Sequence, residues 1–353
     1  VFNVLVELFI LTFEGDAMTR VSIRDVAAET GYSPATVSNV LNEKGNVGAK
    51  ATNIILEAIA RLGYSRSAQI SRIIFAIAHV NGRIVDESTF QAGVYTGIER
   101  AARRLGLPSA MVTLDLPDPV TSRKNIAELE QSEGAGVVLL ATEIVSDDQF
   151  SLLEEFSLPL VIVDSWSDKL PFDCVVTANE TAAYRACTLL VEHGHEVIGY
   201  VGHVERCKNY PLREHGMRRV LDDMRFPFDE NNRVLVDSAP EEAYRQLVDW
   251  LEQRRNSLPT AFFCESDSLA ATVVRALREL GIDVPGDVSV VGFDDDRICK
   301  LIQPSLTSVH VPKHEMGEIA VKRLIDQTTD AHYAPCISQL HTTVVSRKSV
   351  KQL

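Results

Sequence analysis

Three aspartates follow sequence patterns of buried strands and could bind a polar ligand. Asp164 ends "LVIVD", Asp267 ends "AFFCESD", and Asp294 follows "VSVVGF". Ligands of open parallel sheets bind outside the carboxyl ends of the strands, and a carboxylate there can accept hydrogen bonds from two hydroxyls of a ligand. Trp166 lies two residues beyond Asp164 and could stack on the ligand. Each residue has a structural alternative, since Asp267 or Asp294 could cap a helix and Trp166 could belong to the core.

Motifs of common enzymes are missing from the sequence. It contains no G-x-S-x-G elbow, no Walker loop and no H-E-x-x-H zinc motif. The six cysteines are widely spaced and form no C-x-x-C pair, and such scattered thiols suit the reducing cytoplasm. His193 and His195 are two residues apart, with no further metal ligands nearby. We therefore expect a protein that is not an enzyme and that has no metal or other cofactor.

Charge is distributed unevenly along the chain. The formal net charge is -14 over 353 residues, which argues against a protein that coats nucleic acid with its whole surface. Residues 18–72 nevertheless contain seven basic and four acidic side chains. A basic segment attached to an acidic body is a hint of local contact with nucleic acid.

The basic segment has the pattern of three short helices. "SIRD" at Ser22 has the form of a capping box, Gly31 can end the first helix, and Ser33 followed by Pro34 can begin the second. A third helix is predicted over Ala49–Leu62. Two helices joined by a tight glycine turn are typical of the helix-turn-helix, whose second helix enters the major groove of DNA. The alternative is a small helical bundle whose polar face is simply solvated.

From Ile73 onwards, short apolar runs alternate with amphipathic stretches. "IIFAIAHV", "GVVLLAT", "CVVTAN" and "VIGYVGH" read as buried parallel strands, as do the three runs that precede the aspartates. "FQAGVYTGIERAARRLG" and "SLAATVVRALRELG" read as helices. This alternation predicts an α/β domain of two doubly wound lobes after a small all-α headpiece.

The amino-acid sequences of both parts resemble those of one protein family. "VSIRDVAAETGYSPATVSNVLN" and "ARLGY" resemble the headpiece of the LacI/GalR family of bacterial transcriptional regulators. "EHGHEVIGYVG", "NYPLREHGM" and "QPSLTSVHVP" resemble its effector domain, which is similar to periplasmic sugar-binding proteins. The resemblance implies two lobes joined by three crossovers, a small-molecule site in the cleft between them, and a homodimer.

The resemblance also implies roles for individual residues. In the second helix, Asn39 would pair with adenine and Pro34 and Ala35 would contact thymine methyl groups. Phosphate contacts would come from three hydroxyls, those of Ser33, Thr36 and Ser38. In the cleft, Arg213 of the "REHG" motif would bind vicinal hydroxyls or a carboxylate, and Asp294 would accept from two sugar hydroxyls. The alternative for Arg213 is a surface ion pair. The predicted ligand-binding set is Asp164, Trp166, Arg213, Asp267 and Asp294.

Two departures from the family pattern weaken the expected contact with DNA. The family usually has V-S-x-x-T-R at the start of the third helix, whereas "VGAKAT" has Gly48, Ala51 and Thr52 in place of the Ser, Thr and Arg. Fewer phosphate contacts weaken binding at every sequence. The connector is also short, with residues 65–72 only, and Ile70 is a poor substitute for the leucine that enters the minor groove in the family.

These observations predict four segments. Residues 1–17 are apolar and lack Lys and Arg, so we expect a non-native extension from a start-site error, with Met18 as the first residue. The helix-turn-helix domain is predicted over residues 18–64, the linker over 65–72, and the ligand-binding and dimerisation domain over 73–353.

The predicted function is a cytoplasmic, dimeric repressor that binds near-palindromic operator DNA. A small effector, expected to be a sugar or sugar derivative, would control it allosterically, without contact with a membrane. The alternative is a cytoplasmic sugar-binding receptor whose DNA binding is weakened or lost, which the short connector and "VGAKAT" motivate. A secreted sugar-binding protein is disfavoured by the basic headpiece.

Overall fold

The computed structural model describes residues 23–41, 47–62, 70–84, 89–330 and 332–353, with the side chains of residues 23–25, 38, 41 and 60 left undescribed. The chain divides into two compact units, Val1–Ala68 and Gln69–Leu353.

The N-terminal unit contains the three predicted helices among its described residues. They are α1 (Ile23–Thr30), α2 (Pro34–Leu41) and α3 (Ala49–Leu62). Gly31 ends α1 with φ +71°, a conformation that L side chains rarely adopt, and its N–H donates to the Ala27 carbonyl. The predicted capping by Ser22 and the end of α3 at Gly63 lie outside the described residues. The small core of this unit consists of Val26, Ala27, Val37, Val40, Ile55 and Ala58.

The second unit contains two sheets in its described residues, each with six strands. The strands of the first lobe, in spatial order, are β11 (Ile337–Leu340), β5 (Asp173–Thr177), β4 (Leu160–Val163), β3 (Ala135–Leu140), β1 (Arg72–His79) and β2 (Ser109–Asp115), all parallel. Those of the second lobe are β12 (Thr343–Val345), β10 (Thr307–His310), β9 (Ser289–Asp294), β8 (Ala261–Cys264), β6 (Ile198–His203) and β7 (Arg233–Val236). In the second sheet only β12 is antiparallel to its neighbour.

Helices cover the sheets of both lobes. They are α4 (Phe90–Arg104), α5 (Pro119–Glu130), α6 (Asp147–Phe150), α7 (Asn179–Glu192), α8 (Asn209–Met224), α9 (Pro240–Gln253), α10 (Asp267–Glu279), α11 (Ile298–Leu301) and α12 (Lys313–Thr329). The central strands are buried along their whole length, which explains their continuous apolar sequence. The predicted fold class is confirmed: a helical headpiece precedes an α/β domain of two doubly wound lobes.

Three crossovers connect the lobes within the described residues. The chain leaves the first lobe between β5 and α7, returns between β10 and α12, and crosses again between β11 and β12. Helix α12 packs against α4 and the strands of the first lobe, whereas α7 packs against α8 and the second lobe. Because all three connections lie side by side at one edge of the two sheets, they position the carboxyl ends of both sets of strands around one cleft.

Candidate functional site

A cavity of about 520 Å³ lies between the two lobes. Thr142 and Asp164 reach it from the first lobe, and His203, Ser266 and Asp294 reach it from the carboxyl ends of strands in the second. This is the location that parallel sheets use for ligands, and the volume lies within the range of small-molecule sites.

Arg213 is held on the cavity wall by contacts on three sides. Its side chain on α8 is 5% exposed, its Nε donates to Asn179 Oδ1 at 2.8 Å, and its Nη1 donates to the Glu265 carbonyl at 2.5 Å. The guanidinium lies 3.7 Å from the centre of the Phe293 ring. Its Nη2 is 3.9 Å from Asp294 Oδ1, beyond hydrogen-bond distance, so this nitrogen retains donor capacity for a ligand.

Asp294 ends β9 in a strained backbone conformation. Its φ of 111° is rare for any residue with a side chain, and strain of this kind persists only where the surroundings impose it. Burial raises the pKa of Asp294, against the opposing effects of Arg213 and Lys313. The carboxylate and the Nη2 of Arg213 therefore form an adjacent acceptor and donor, which matches the vicinal hydroxyls of a sugar.

Asp164 also lies in the left-handed region, with φ 67°. It accepts hydrogen bonds from Thr142 Oγ1 of the same lobe at 2.8 Å and from Asn209 Nδ2 of the second lobe at 2.9 Å, and the second of these bonds joins the two lobes. Burial raises its pKa to about 6, although Thr142 and Arg213 oppose the rise. The structure thus brings Asp164, Arg213 and Asp294 to one cavity, as the sequence predicts.

Asp267 lines the same cavity, but both of its carboxylate oxygens accept hydrogen bonds from other groups of the protein. Oδ1 accepts from Ser308 Oγ at 2.6 Å, and Oδ2 accepts from the Asp296 N–H at 2.7 Å. Ser266, rather than Asp267, caps α10 by accepting from the Leu269 N–H. These contacts fix the loop that follows Asp294, and the predicted ligand contact of Asp267 stays a prediction.

Trp166 is not brought to the cavity lining. Its ring packs beside Lys208 at 5.2 Å and at the edge of the first lobe's core, and its Nε1 donates to Asp168. The cavity is lined instead by two other aromatic residues, Phe90 and Tyr210. The predicted stacking of Trp166 on a ligand in this cavity has no support in the structure, because the indole packs against the core of the first lobe.

A buried amide network beneath the cavity has no signal in the sequence. Asn179 accepts from Arg213 and donates to Asn209 Oδ1 at 2.9 Å, and Asn209 donates in turn to Asp164. Asn179 and Asn209 are 0% and 1% exposed. Asn179 lies immediately after the first crossover, so the network connects the ligand-binding candidates to the connection between the lobes.

In the N-terminal unit, α2 has one buried and one accessible face. Val37 and Val40 are buried, whereas Ser33, Pro34 and Ala35 are exposed. Thr36 and Asn39 are half-buried, and the side chain of Ser38 lies outside the described set. The hydroxyl of Ser33 begins the helix by accepting from the Thr36 N–H at 3.1 Å. The predicted base and phosphate contacts of these residues stay predictions.

The start of α3 differs from the family pattern in a way that has a structural consequence. Gly48 precedes the helix without a side chain to cap it, and Thr52 Oγ1 donates back to the Gly48 carbonyl at 3.3 Å. A hydroxyl used in this way is directed at its own helix. Most of the predicted linker, up to residue 69, lies outside the described residues.

The described residues show no sign of a membrane span or a metal site. None of their helices has the length and apolar character that a membrane span requires. No group of three or more His, Cys, Asp or Glu side chains among them has an arrangement that could hold a metal ion.

Comparison with known families matches both units. Residues 22–67 match the bacterial regulatory proteins of the lacI family, and residues 188–350 match the periplasmic binding protein-like domain.

Full-length relatives match the whole chain. The HTH-type transcriptional repressor PurR of Klebsiella pneumoniae (strain 342) is 29% identical over 334 residues, which cover 93% of this chain and 96% of PurR. Among solved structures, the transcriptional regulator CelR in complex with cellobiose is 25% identical with a TM-score of 0.69, covering 94% of this chain and 100% of CelR. The lac repressor dimer bound to operator and the anti-inducer ONPF is similar in fold, at 22% identity and a TM-score of 0.68 over the same shares of the two chains.

These matches extend from the helix-turn-helix through both lobes, and the relatives that they identify are repressors rather than enzymes. The chain belongs to the LacI family of bacterial regulatory proteins and is a DNA-binding transcriptional regulator with an effector domain.

Proposed function

We propose that this protein is a cytoplasmic repressor that binds near-palindromic operator DNA as a homodimer and responds to a sugar or sugar derivative. The observation that carries the choice of ligand is the pair formed by Arg213 Nη2 and Asp294 Oδ1 in the cleft, 3.9 Å apart. One donor and one acceptor at this spacing can be bridged by adjacent hydroxyls of one ligand.

The walls of the cavity support the same ligand class. Phe90 and Tyr210 provide aromatic surface, which suits the apolar faces of a sugar ring. Thr142 and Asp164 provide polar groups from the opposite lobe. The relative CelR has been solved with cellobiose, which favours a carbohydrate here as well.

Coupling to DNA would operate through the crossovers. A ligand that contacts Asp164 on one lobe and Arg213 on the other has different affinities for the open and closed cleft, so it shifts the equilibrium between them. Because the buried amides Asn179 and Asn209 join both contacts to the first crossover, closure would reorient the lobes. By thermodynamic linkage, operator DNA must then change ligand affinity by the same factor.

The test of DNA recognition is selection from a pool of random duplex DNA by the full chain. We expect enrichment of a near-palindrome with half-sites about one helical turn apart. Asn39→Ala should relax the preference at one position of each half-site, whereas Asn53→Ala, an exposed asparagine on α3, should leave the preference unchanged. Ligand coupling is then tested by measuring operator release with ribose, glucose and cellobiose.

The alternative, a sugar receptor with lost DNA binding, predicts a different set of results. A receptor of this kind would enrich no DNA sequence at low salt, and wild-type protein and Asn39→Ala would behave alike. A sugar would still raise its melting temperature. The departures at Gly48 and Thr52 are the observations that favour this second candidate. An enriched operator whose binding no sugar changes would contradict the allosteric part of the proposal.

A further inference from the structure

The acidic groups of the cleft are mostly satisfied by the protein itself. Asp296 forms an ion pair with Lys313, Asp267 accepts from Ser308 and the Asp296 N–H, and Asp164 accepts from Thr142 and Asn209. Among the lining carboxylates, Asp294 is left with the most acceptor capacity, because its contact with Arg213 is 3.9 Å long. The cavity therefore offers fewer free acceptors to a ligand than its composition suggests.

The basic groups of the same cavity are less well satisfied. Arg297 lines the cavity, is exposed, and forms no ion pair with any described residue. Arg275 lines it from α10, and its nearest carboxylate is Glu241 at 3.4 Å, whose side chain is 81% exposed. An exposed pair of this kind contributes little and is easily exchanged for a ligand.

The guanidinium of Arg275 is nevertheless held in place. It lies 3.8 Å from the centre of the Tyr244 ring, and this stacking leaves the edge of the guanidinium free to donate. Ser268 and Thr272 line the cavity from the same face of α10. Helix α10 packs against α11, which follows Arg297, so the two arginines come from neighbouring elements of the second lobe.

We propose that the effector is a sugar or other polyol that carries an anionic group, a phosphate or a carboxylate, and that Arg275 and Arg297 bind this group. The inference rests on the proposed ligand-binding function of the cleft and specifies its ligand class. Hydroxyls of the ligand occupy the end of the cavity at Arg213 and Asp294, and the anion occupies the end at α10. Arginine suits this role because its planar fork donates two parallel hydrogen bonds to a carboxylate or phosphate.

The overall charge of the chain gives these arginines a second effect. With a net charge of -14, the protein repels a free anion at long range. The guanidiniums of Arg275 and Arg297 at the cleft would attract an anion at short range. The selectivity for an anionic ligand should therefore decrease as ionic strength rises.

The experiment compares neutral and anionic members of matched pairs at constant ionic strength. The probes are ribose with ribose 5-phosphate, glucose with glucose 6-phosphate and glucuronate, and inorganic phosphate alone. Affinities are measured by calorimetry and by the shift in melting temperature on wild-type protein, on the double variant Arg275→Gln/Arg297→Gln, and on Arg278→Gln. Arg278 is the matched control, since it is exposed on the same helix but does not line this cavity.

We expect an anionic probe to bind wild type at least tenfold more tightly than its neutral partner. The double variant should bind that anionic probe at least tenfold more weakly than wild type does, whereas its affinity for the neutral partner should be unchanged. Arg278→Gln should bind both probes with affinities within twofold of wild type. Preference for a phosphate over a carboxylate, or the reverse, identifies the anion. Inorganic phosphate should compete with the anionic probe in wild type and not in the double variant.

Three results would overturn the inference: tightest binding by a neutral sugar, equal binding of the anionic probes by wild type and double variant, or no binding of any anionic probe. The first of these results, tightest binding by a neutral sugar, would leave the proposed sugar-responsive function intact. Failure of that function is measured separately, as the absence of an enriched sequence in DNA selection or as unchanged sugar binding in Arg213→Lys.

Discussion

Arg213 and Asp294 face each other across 3.9 Å between Nη2 and Oδ1, without a direct hydrogen bond. Neither residue can easily close this distance. Arg213 is fixed by Asn179 and the Glu265 carbonyl, and Asp294 is fixed by its backbone, with φ 111°. A donor and an acceptor held apart in this way are preorganised to bind a ligand. A ligand that bridges them does not need to break a strong ion pair.

The first prediction concerns the charge of Asp294. Its negative charge raises the pKa of Asp164 and of Asp267. Asp294→Asn should therefore lower both pKa values, which are about 6 and about 7 in the native protein, and should abolish sugar binding. Titration of the carboxyl carbons by NMR measures the shifts. Asp168→Asn, an exposed carboxylate outside the cavity lining, is the control and should change neither value.

The second prediction concerns the pH dependence of stability. Burial, with a contribution from Asp294, raises the pKa of Asp267 to about 7, so the folded state keeps a proton that the unfolded state releases near pH 4. The stability from this proton is complete below about pH 4 and is lost as the pH rises through about 7. The free energy of unfolding should fall across this window, by at most about 1.4 kcal/mol per pH unit for this group.

Asp267→Asn should flatten this fall, since an amide does not titrate. It should also lower stability by about 1–3 kcal/mol, because the amide has one oxygen where the carboxyl group accepts from both Ser308 Oγ and the Asp296 N–H. Urea unfolding at half-unit steps from pH 4.5 to 8 measures both effects. Equal slopes in wild type and variant would show that Asp267 does not hold the proton.

The central strands could be predicted from sequence because burial on both faces leaves a continuous apolar run. The edge strand β2 could not, since Met111 and Val112 are exposed and the strand shows no such run. The sequence also does not predict β7, β10, β11 and β12, because each has at most three consecutive apolar residues. Pattern alone does not distinguish short edge strands from loops.

Some of the cleft residues could likewise be predicted from the sequence, and others could not. Asp164 and Asp294 could be predicted because the end of a buried strand defines where they lie. Asn179 and Asn209 could not, because their contact is created by the crossover between the lobes, and a lone asparagine has no local pattern. The position of Trp166 outside the cavity lining could not be predicted, since its distance from a strand end does not determine the direction of its ring.

The third prediction tests this revised aromatic assignment. Tyr210 lines the cavity and its ring lies 5.5 Å from the Arg213 guanidinium, whereas Trp166 lies outside the lining. Tyr210→Leu should weaken binding of the best sugar or sugar phosphate up to about tenfold through loss of stacking. Trp166→Phe should change the affinity less than about twofold. Calorimetry measures both, and the reverse order of effects would restore Trp166 as the stacking residue.

The fourth prediction concerns the turn of the helix-turn-helix. Gly31 has φ +71°, so Gly31→Ala should cost the N-terminal unit about 1–2 kcal/mol and weaken DNA binding. Gly48 has no positive φ and nothing within 4 Å of an added Cβ, so Gly48→Ala is the control and should be neutral or slightly stabilising. Amide hydrogen exchange in α2 and α3 measures the stability of this unit in both variants. Equal protection in the two variants would argue against the strained turn.

The last prediction concerns the start of α3, where the family's arginine is replaced by Thr52. The Thr52 hydroxyl donates to the Gly48 carbonyl, so it is directed at the helix rather than outwards. Thr52→Arg should add one phosphate contact, which strengthens binding at every DNA sequence and steepens the plot of log K against log salt by about 0.9. Thr52→Gln, of similar length without charge, is the control and should leave the slope unchanged. Binding to a selected operator and to an unrelated duplex is measured from low to moderate salt. A gain confined to the operator, or an unchanged slope with Arg, would mean that this position faces a base or solvent rather than the DNA backbone.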